Sequence, residues 1–223
     1  MNTNPDAIGH VRGESLFVDD LPEPAGTLHA AVCVSPMPHG RNLRISSAAA
    51  RGMAGVRAIL TAADIPGRNQ IGAILEDEPL LAEGEVHCIG QPVALVVAET
   101  AAAARRAARA VEITADPLPA IWDPREAYAQ GNWLVPPRTF SCGEVESAWA
   151  QCATIVTGTA ATGAQEHVYL ETQGALAMPS ETGVRIWSAT QAPTAVQRMT
   201  AQVLGIPMHR VEVDTPRLGG AFG

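Results

Sequence analysis

The sequence has 223 residues, of which 47% are hydrophobic and 17% charged, with a formal net charge of −8. That balance supports a buried core of one large or two ordinary domains and excludes a disordered tail. It also excludes an obvious polyanion-binding role, since the chain is acidic and no Lys/Arg cluster has aromatics interleaved with it.

The N-terminal "MNTNPDAIGHVRGE" lacks the basic and apolar parts of a signal peptide. The longest apolar stretch, "PVALVVAETAAAA", contains Glu99 and falls short of the roughly 20 residues a membrane span needs. A cytoplasmic protein with no nucleic-acid or membrane partner is expected. After a turn-rich opening, with Asp19-Asp20 and residues 22–26 marking a loop, "TLHAAVCVS" reads as a strand. "AAARGMAGVRAILTAADIPG" alternates short helical and strand signals and ends at Pro66-Gly67. "QPVALVVAE" is a near-continuous apolar run that suits a strand buried on both faces. Thr100 can cap the following helix, "AAAARRAARAV", whose Arg105, Arg106 and Arg109 fall on a solvated side. "VEITADPLPA" then reads as a returning strand.

The Pro/Gly-punctuated stretch "DPREAYAQGNWLVPPRTFSCG" marks a boundary, and domains at residues 1–122 and 123–223 are expected. Beyond it come a short helix, "EVESAWAQC", and a strand, "TIVTGTAATGAQ", entering a Gly/Ala loop. A hairpin follows around residues 180–183. Pro193 opens a helix that Gly205 and Pro207 close, and a last strand, "HRVEVDTP", precedes the Gly-rich "RLGGAFG". The four cysteines, Cys33, Cys88, Cys142 and Cys152, form no Cys-x-x-Cys pair and have no His at metal-ligand spacing. They are expected to be buried thiols, with no zinc or iron–sulfur site in the chain.

Three stretches could carry chemistry. "RLGGAFG" is either a tight turn between strands or a loop whose bare backbone approaches an oxygen-rich cofactor, which Gly219, Gly220 and Gly223 would permit. In "GAQEHVYLET", Glu166 and His167 read as locally satisfied groups at a strand start. Gln165 offers both a donor and an acceptor on a short stem, suited to a metal-bound oxygen or a substrate edge. "SATQAP" places Thr190 and Gln191 at the head of a helix, where caps are common and anions are attracted. His10, His29, His39, His87 and His209 read as structural, and no Ser-His-Asp set or carboxylate pair stands out.

Taken in order, "RGESLFVDD", "DEPLLAEGEVHCIGQPVALVVAET", "GAQEHVYLET", "SATQAP" and "RLGGAFG" resemble the molybdenum-binding subunit of the xanthine dehydrogenase / aldehyde oxidase family, in its bacterial xanthine dehydrogenase form. The likeness runs along residues 8–223. It implies an α/β (α+β) fold: a hammerhead domain, then the beginning of a molybdopterin-binding domain. It implies that Gln165 hydrogen-bonds an oxo ligand of molybdenum without ligating the metal, and that Gly219, Gly220, Phe222 and Gly223 line the cofactor. Two departures are mild: Ala164 stands where the family usually has a second Gly, and Ala221 stands in the closing loop.

The family continues past this loop with Gly-Lys-Glu and several hundred further residues, including the glutamate that acts as base in hydroxylating a purine or aldehyde carbon with water-derived oxygen. The resemblance therefore implies no catalytic residue within this chain, inactivity of the chain alone, and a molybdenum–molybdopterin cofactor shared with the rest of the subunit. FAD and 2Fe-2S centres would lie on partner chains. A non-catalytic scaffold or interaction module derived from this family is the alternative, and the substrate is left open.

Overall fold

A computed structural model describes residues 5–171 and 173–222. The chain divides into two compact units, residues 1–118 together with 168–223, and residues 119–167. Both helices and strands build it, so the fold is mixed α/β.

In the first unit a helix, α1 (Pro5–Arg12), precedes strands β1 (His29–Val34) and β2 (Gly40–Ser46). A single helical turn, α2 (Ala48–Arg51), leads to β3 (Val56–Thr61). The short β4 (Glu85–Val86) and then β5 (Pro92–Ala98), helix α3 (Ala101–Arg109) and β6 (Glu112–Pro117) complete this half. The strands form two antiparallel sheets, in the orders β1-β5-β3 and β4-β2-β6. The strands flanking α3 therefore belong to different sheets, and the strand–helix–strand unit read from sequence bridges two sheets.

The run at β5 is apolar because this strand is central, paired on both edges. Ala94, Val96 and Ala98 are fully buried, sharing clusters with Cys33, Ile59, Ala104 and Ala107. On its other face Val93 is buried with Ala82 and Val86, while Leu95 and Val97 are only half-buried. Burial on both faces thus holds at one end of the strand. In α3, Ala103, Ala104 and Ala107 turn inward at helical spacing, and Arg105, Arg106 and Arg109 turn outward. Thr100 caps the helix by accepting a 3.1 Å bond from the Ala103 N–H.

Strand β2 carries an irregularity between Arg41 and Arg44, with Asn42 at φ 55°. Asp116 of the neighbouring strand holds the bend by accepting from Asn42 Nδ2 and Arg44 Nη2, each at 2.8 Å. The amide of Asn42, followed by the Arg44 guanidinium, keeps the Asp116 carboxyl below its ordinary pKa. A lowered folded-state pKa means that the clamp acts at neutral pH and fades as pH falls through that value.

A third sheet joins β7 (Ala175–Pro179), β8 (Val184–Ser188) and β9 (Val211–Asp214). The first pair is an antiparallel hairpin closed by a Ser180 N–H to Gly183 carbonyl bond, and β9 runs parallel to β8. Between them α6 (Pro193–Leu204) packs Ala201 on Ile186 and Val211. Gly205 ends α6 in the left-handed region, at φ 66°. The carbonyls at the helix end are then met from the N-terminal part of the chain, by the N–H of Gly67 to Val203 and of Arg68 to Gln202, both at 2.9 Å. Pro66-Gly67 is therefore a docking point as well as an ending, since a Cβ at 67 would run into the Gln202 carbonyl.

The second unit contains two short helices, α4 (Pro124–Ala129) and α5 (Val145–Ala150), and no buried residue. The strand expected at "TIVTGTAATGAQ" does not form. Ile155 and Val156 are exposed, and no partner strand lies beside them among the described residues. Only Cys33 is buried; Cys88, Cys142 and Cys152 are exposed free thiols, contrary to the expectation of buried ones. Burial raises the Cys33 thiol pKa and makes it inert.

Urea unfolding should show Ile59→Ala, 2% exposed in the wild type, losing about 2–5 kcal/mol, and Thr100→Ala losing about 1 kcal/mol. Amide exchange should finish first across residues 131–167 and last in β5.

Candidate cofactor-binding site

After β9 the chain runs through residues 215–222 without helix or strand, half-buried as far as Gly220. This loop lies on Tyr169 and Leu170. A Cβ at position 219 would land on the Leu170 carbonyl oxygen, so only glycine fits there. At position 220 a Cβ would stand 2.6 Å from the Tyr169 Cβ, and the Tyr169 and Phe222 rings pack 5.9 Å apart. The segment beneath is sharply bent. Val168 and Glu171 both have φ 49°, a left-handed conformation that is strained for a β-branched residue. These bends end the strand expected through "HVYLET".

The polar groups here are incompletely paired. Glu171 Oε1 accepts from the Asp19 N–H at 3.0 Å, and Arg217 Nη2 donates to Asp6 at 2.7 Å. Yet Glu171 Oε2, Thr215 Oγ1 and Arg217 Nε are buried with no hydrogen-bond partner. The backbone N–H groups of residues 218–221 also donate to no described residue. Buried polar atoms normally find partners, and successive bare N–H groups form anion-accepting concavities. A donor-rich loop of this kind, with small residues at its contact points, fits an oxygen-rich group such as a pterin phosphate or metal oxo ligand.

The structure thus brings Gly219, Gly220 and Phe222 together on Tyr169 and Leu170. Gly223 lies outside the described residues. Gln165 belongs to the unit of residues 119–167, where it is exposed and outside any helix or strand. Glu166 and His167 are exposed beside it. Thr190 acts locally, its Oγ1 accepting from the Ala192 N–H at 3.1 Å just before α6, and Gln191 is exposed. Sequence reasoning missed Thr215, Arg217 and Glu171. The only signal for them was a lone charged residue directly before a Gly-rich loop.

Comparison with known proteins agrees with this architecture. The family model described as "Aldehyde oxidase and xanthine dehydrogenase, a/b hammerhead domain" matches residues 12–119, and "Molybdopterin cofactor-binding domain" matches residues 127–223. Xanthine dehydrogenase 2 of Arabidopsis thaliana is 41% identical over 96% of this chain, and aldehyde oxidase 2 of Cavia porcellus 36% identical over 97%. In both cases the chain spans 16% of the relative's length. Among solved structures, quinoline 2-oxidoreductase from Pseudomonas putida 86 superposes with a TM-score of 0.81 at 30% identity, over 98% of this chain and 30% of that one. Aldehyde oxidoreductase from Desulfovibrio gigas superposes with a TM-score of 0.85 at 27% identity, over 98% of this chain and 26% of that one. A hammerhead domain followed in order by molybdopterin cofactor-binding sequence places this chain in the xanthine dehydrogenase / aldehyde oxidase family of molybdenum oxidoreductases.

Proposed function

We propose that this chain supplies part of the molybdopterin pocket of a xanthine dehydrogenase-like hydroxylase acting on a purine or aldehyde carbon. The observation that carries the reading is the terminal loop, whose Gly219 and Gly220 sit on Leu170 and Tyr169 and whose Thr215 Oγ1 and Arg217 Nε are buried without a hydrogen-bond partner. In this reading the backbones of Gly219, Gly220, Phe222 and Gly223 border the cofactor, and Gln165 hydrogen-bonds an oxo ligand of the metal. The molybdenum–pterin group, when bound, supplies the oxygen-transfer and electron-accepting chemistry. The chain's own share is to bind and to orient, with Tyr169 packed against Phe222 beside the loop. Domains at 1–122 and 123–223 and a cytoplasmic setting belong to the same proposal.

We further propose that catalysis resides in an assembly containing the remaining pocket walls, with FAD and 2Fe-2S centres on partner chains. Exposed apolar surface supports this. Trp122, Tyr128, Phe140 and Trp149 are exposed in residues 119–167, and Val32, Val34 and Leu60 are exposed on the β1-β5-β3 sheet. Such patches mark interaction surfaces.

The purified 223-residue chain, offered xanthine or an aromatic aldehyde with an artificial electron acceptor, should show no turnover above the blank; substrate-dependent reduction would refute the need for an assembly. In a turning-over assembly that carries this chain, Gln165→Ala should lower kcat roughly 10–100-fold, the scale of losing an orienting hydrogen bond beside a metal. Gly219→Val, by forcing the loop off Leu170, should reduce the molybdenum content measured by mass spectrometry. Unchanged metal content would detach the loop from cofactor binding.

A further inference from the structure

Away from the terminal loop, the sheet β4-β2-β6 gathers three metal-ligating side chains. His39 stands one residue before β2, and His87 one residue after β4. The antiparallel register pairs Gly40 with Val86 and Arg41 with Glu85, so one further step sets His39 opposite His87. Glu85 lies two residues before His87 and so shares its face. Val86, between them, points the other way and is fully buried, which anchors both neighbours.

The resulting geometry is that of a cation site. One donor atom each from His39, Glu85 and His87 lie within 4.8 Å of one another. His39 Nε2 is 3.1 Å from Glu85 Oε1, and His87 Nδ1 is 3.7 Å from the same oxygen. Ligands about 2.0–2.1 Å from a tetrahedral zinc ion are separated by roughly 3.3 Å, and the two observed spacings bracket that value. The two rings are 5.8 Å apart and tilted by 32°.

The backbone around the cluster is also held. His87 N–H donates to Gln91 Oε1 at 2.7 Å, the His39 carbonyl accepts from Leu118 N–H at 3.1 Å, and Leu43 N–H reaches the Gly84 carbonyl at 3.0 Å. Arg41 shares the face of Glu85, but its charge acts on Asp116, on the opposite side of β2. His39 and Glu85 are half-buried and His87 is exposed, so an ion can enter and keep a water as fourth ligand. A site with two imidazole nitrogens and one carboxylate oxygen selects zinc, nickel or copper over magnesium and calcium.

We propose that His39, Glu85 and His87 form a zinc-class divalent cation site that pins β4 to β2, separate from the cofactor loop. Strand β4 is only two residues long, and an ion joining residues on both strands would add a crosslink where the ladder is shortest. The proposal does not depend on the molybdopterin reading, because no residue is shared between them.

The test is a zinc titration of the 223-residue chain after its exposed thiols, including Cys88, have been alkylated, with a chromophoric chelator as competitor. One equivalent should bind saturably. His87→Ala and Glu85→Gln should each weaken binding by about tenfold or more, while His209→Ala should leave it unchanged. Zinc should raise the melting temperature of the wild type and not that of His87→Ala, as expected for an ion that binds only the folded state. Absence of saturable binding, or binding indifferent to both ligand substitutions, would overturn the proposal. Because His87 is exposed, its loss should leave the fold intact, and circular dichroism of the metal-free variant checks this.

Discussion

The glycine-rich loop after β9 depends on one backbone seated directly on another. At position 219 the chain passes so close to the Leu170 carbonyl that no Cβ can be accommodated. The loop cannot lift away without losing the Tyr169–Phe222 ring contact as well. The glycines had suggested bare backbone facing a cofactor. In the structure, the missing side chain at 219 serves first to seat the loop on its own chain. That seating holds the loop in place, and donors fixed in advance bind an anionic group better than a flexible tether does, because their ordering cost is met on folding.

The same device recurs at the C-terminal end of α6. Gly67 and Arg68 donate to the final carbonyls of the helix, an approach that again leaves no room for a Cβ. Helix ends leave carbonyls that need partners, and here the partners come from more than 130 residues away in sequence, so the hammerhead half is tied to the β7–β9 layer. Asp19 to Glu171 and Arg217 to Asp6 add two more ties between distant segments. These long-range bonds explain why residues 168–223 form one compact unit with residues 1–118.

Much of this was legible where one local rule dominated. The apolar run of β5, the Thr100 cap, the hairpin at 180–183 and the Pro193–Gly205 helix limits each follow from nearby residues, and each is present. The errors arose where partners decide. "TIVTGTAATGAQ" has β-branched residues but no strand to pair with, and "HVYLET" is broken by two left-handed residues, Val168 and Glu171, whose types give no hint of it. The thiols were misjudged for a similar reason. Burial depends on what covers a residue, and nothing covers Cys88, Cys142 or Cys152. His39 and His87 are 48 residues apart in sequence, and only the β2–β4 register sets them face to face.

A separation of labour follows from where the side chains lie. The hammerhead sheets hold the deep aliphatic cluster around Val96 and Ile59, which fixes a rigid frame. The bent segment at 168–171 is strained and carries a buried carboxylate oxygen without a partner. Left-handed non-glycine residues and unsatisfied polar atoms both cost free energy. Gly219 and Gly220 of the loop after β9 sit against Leu170 and Tyr169 of this bent segment. Glu171 Oε2 can only accept, so an anionic, oxygen-rich group cannot be its partner, whereas Thr215 Oγ1 and Arg217 Nε can donate to one.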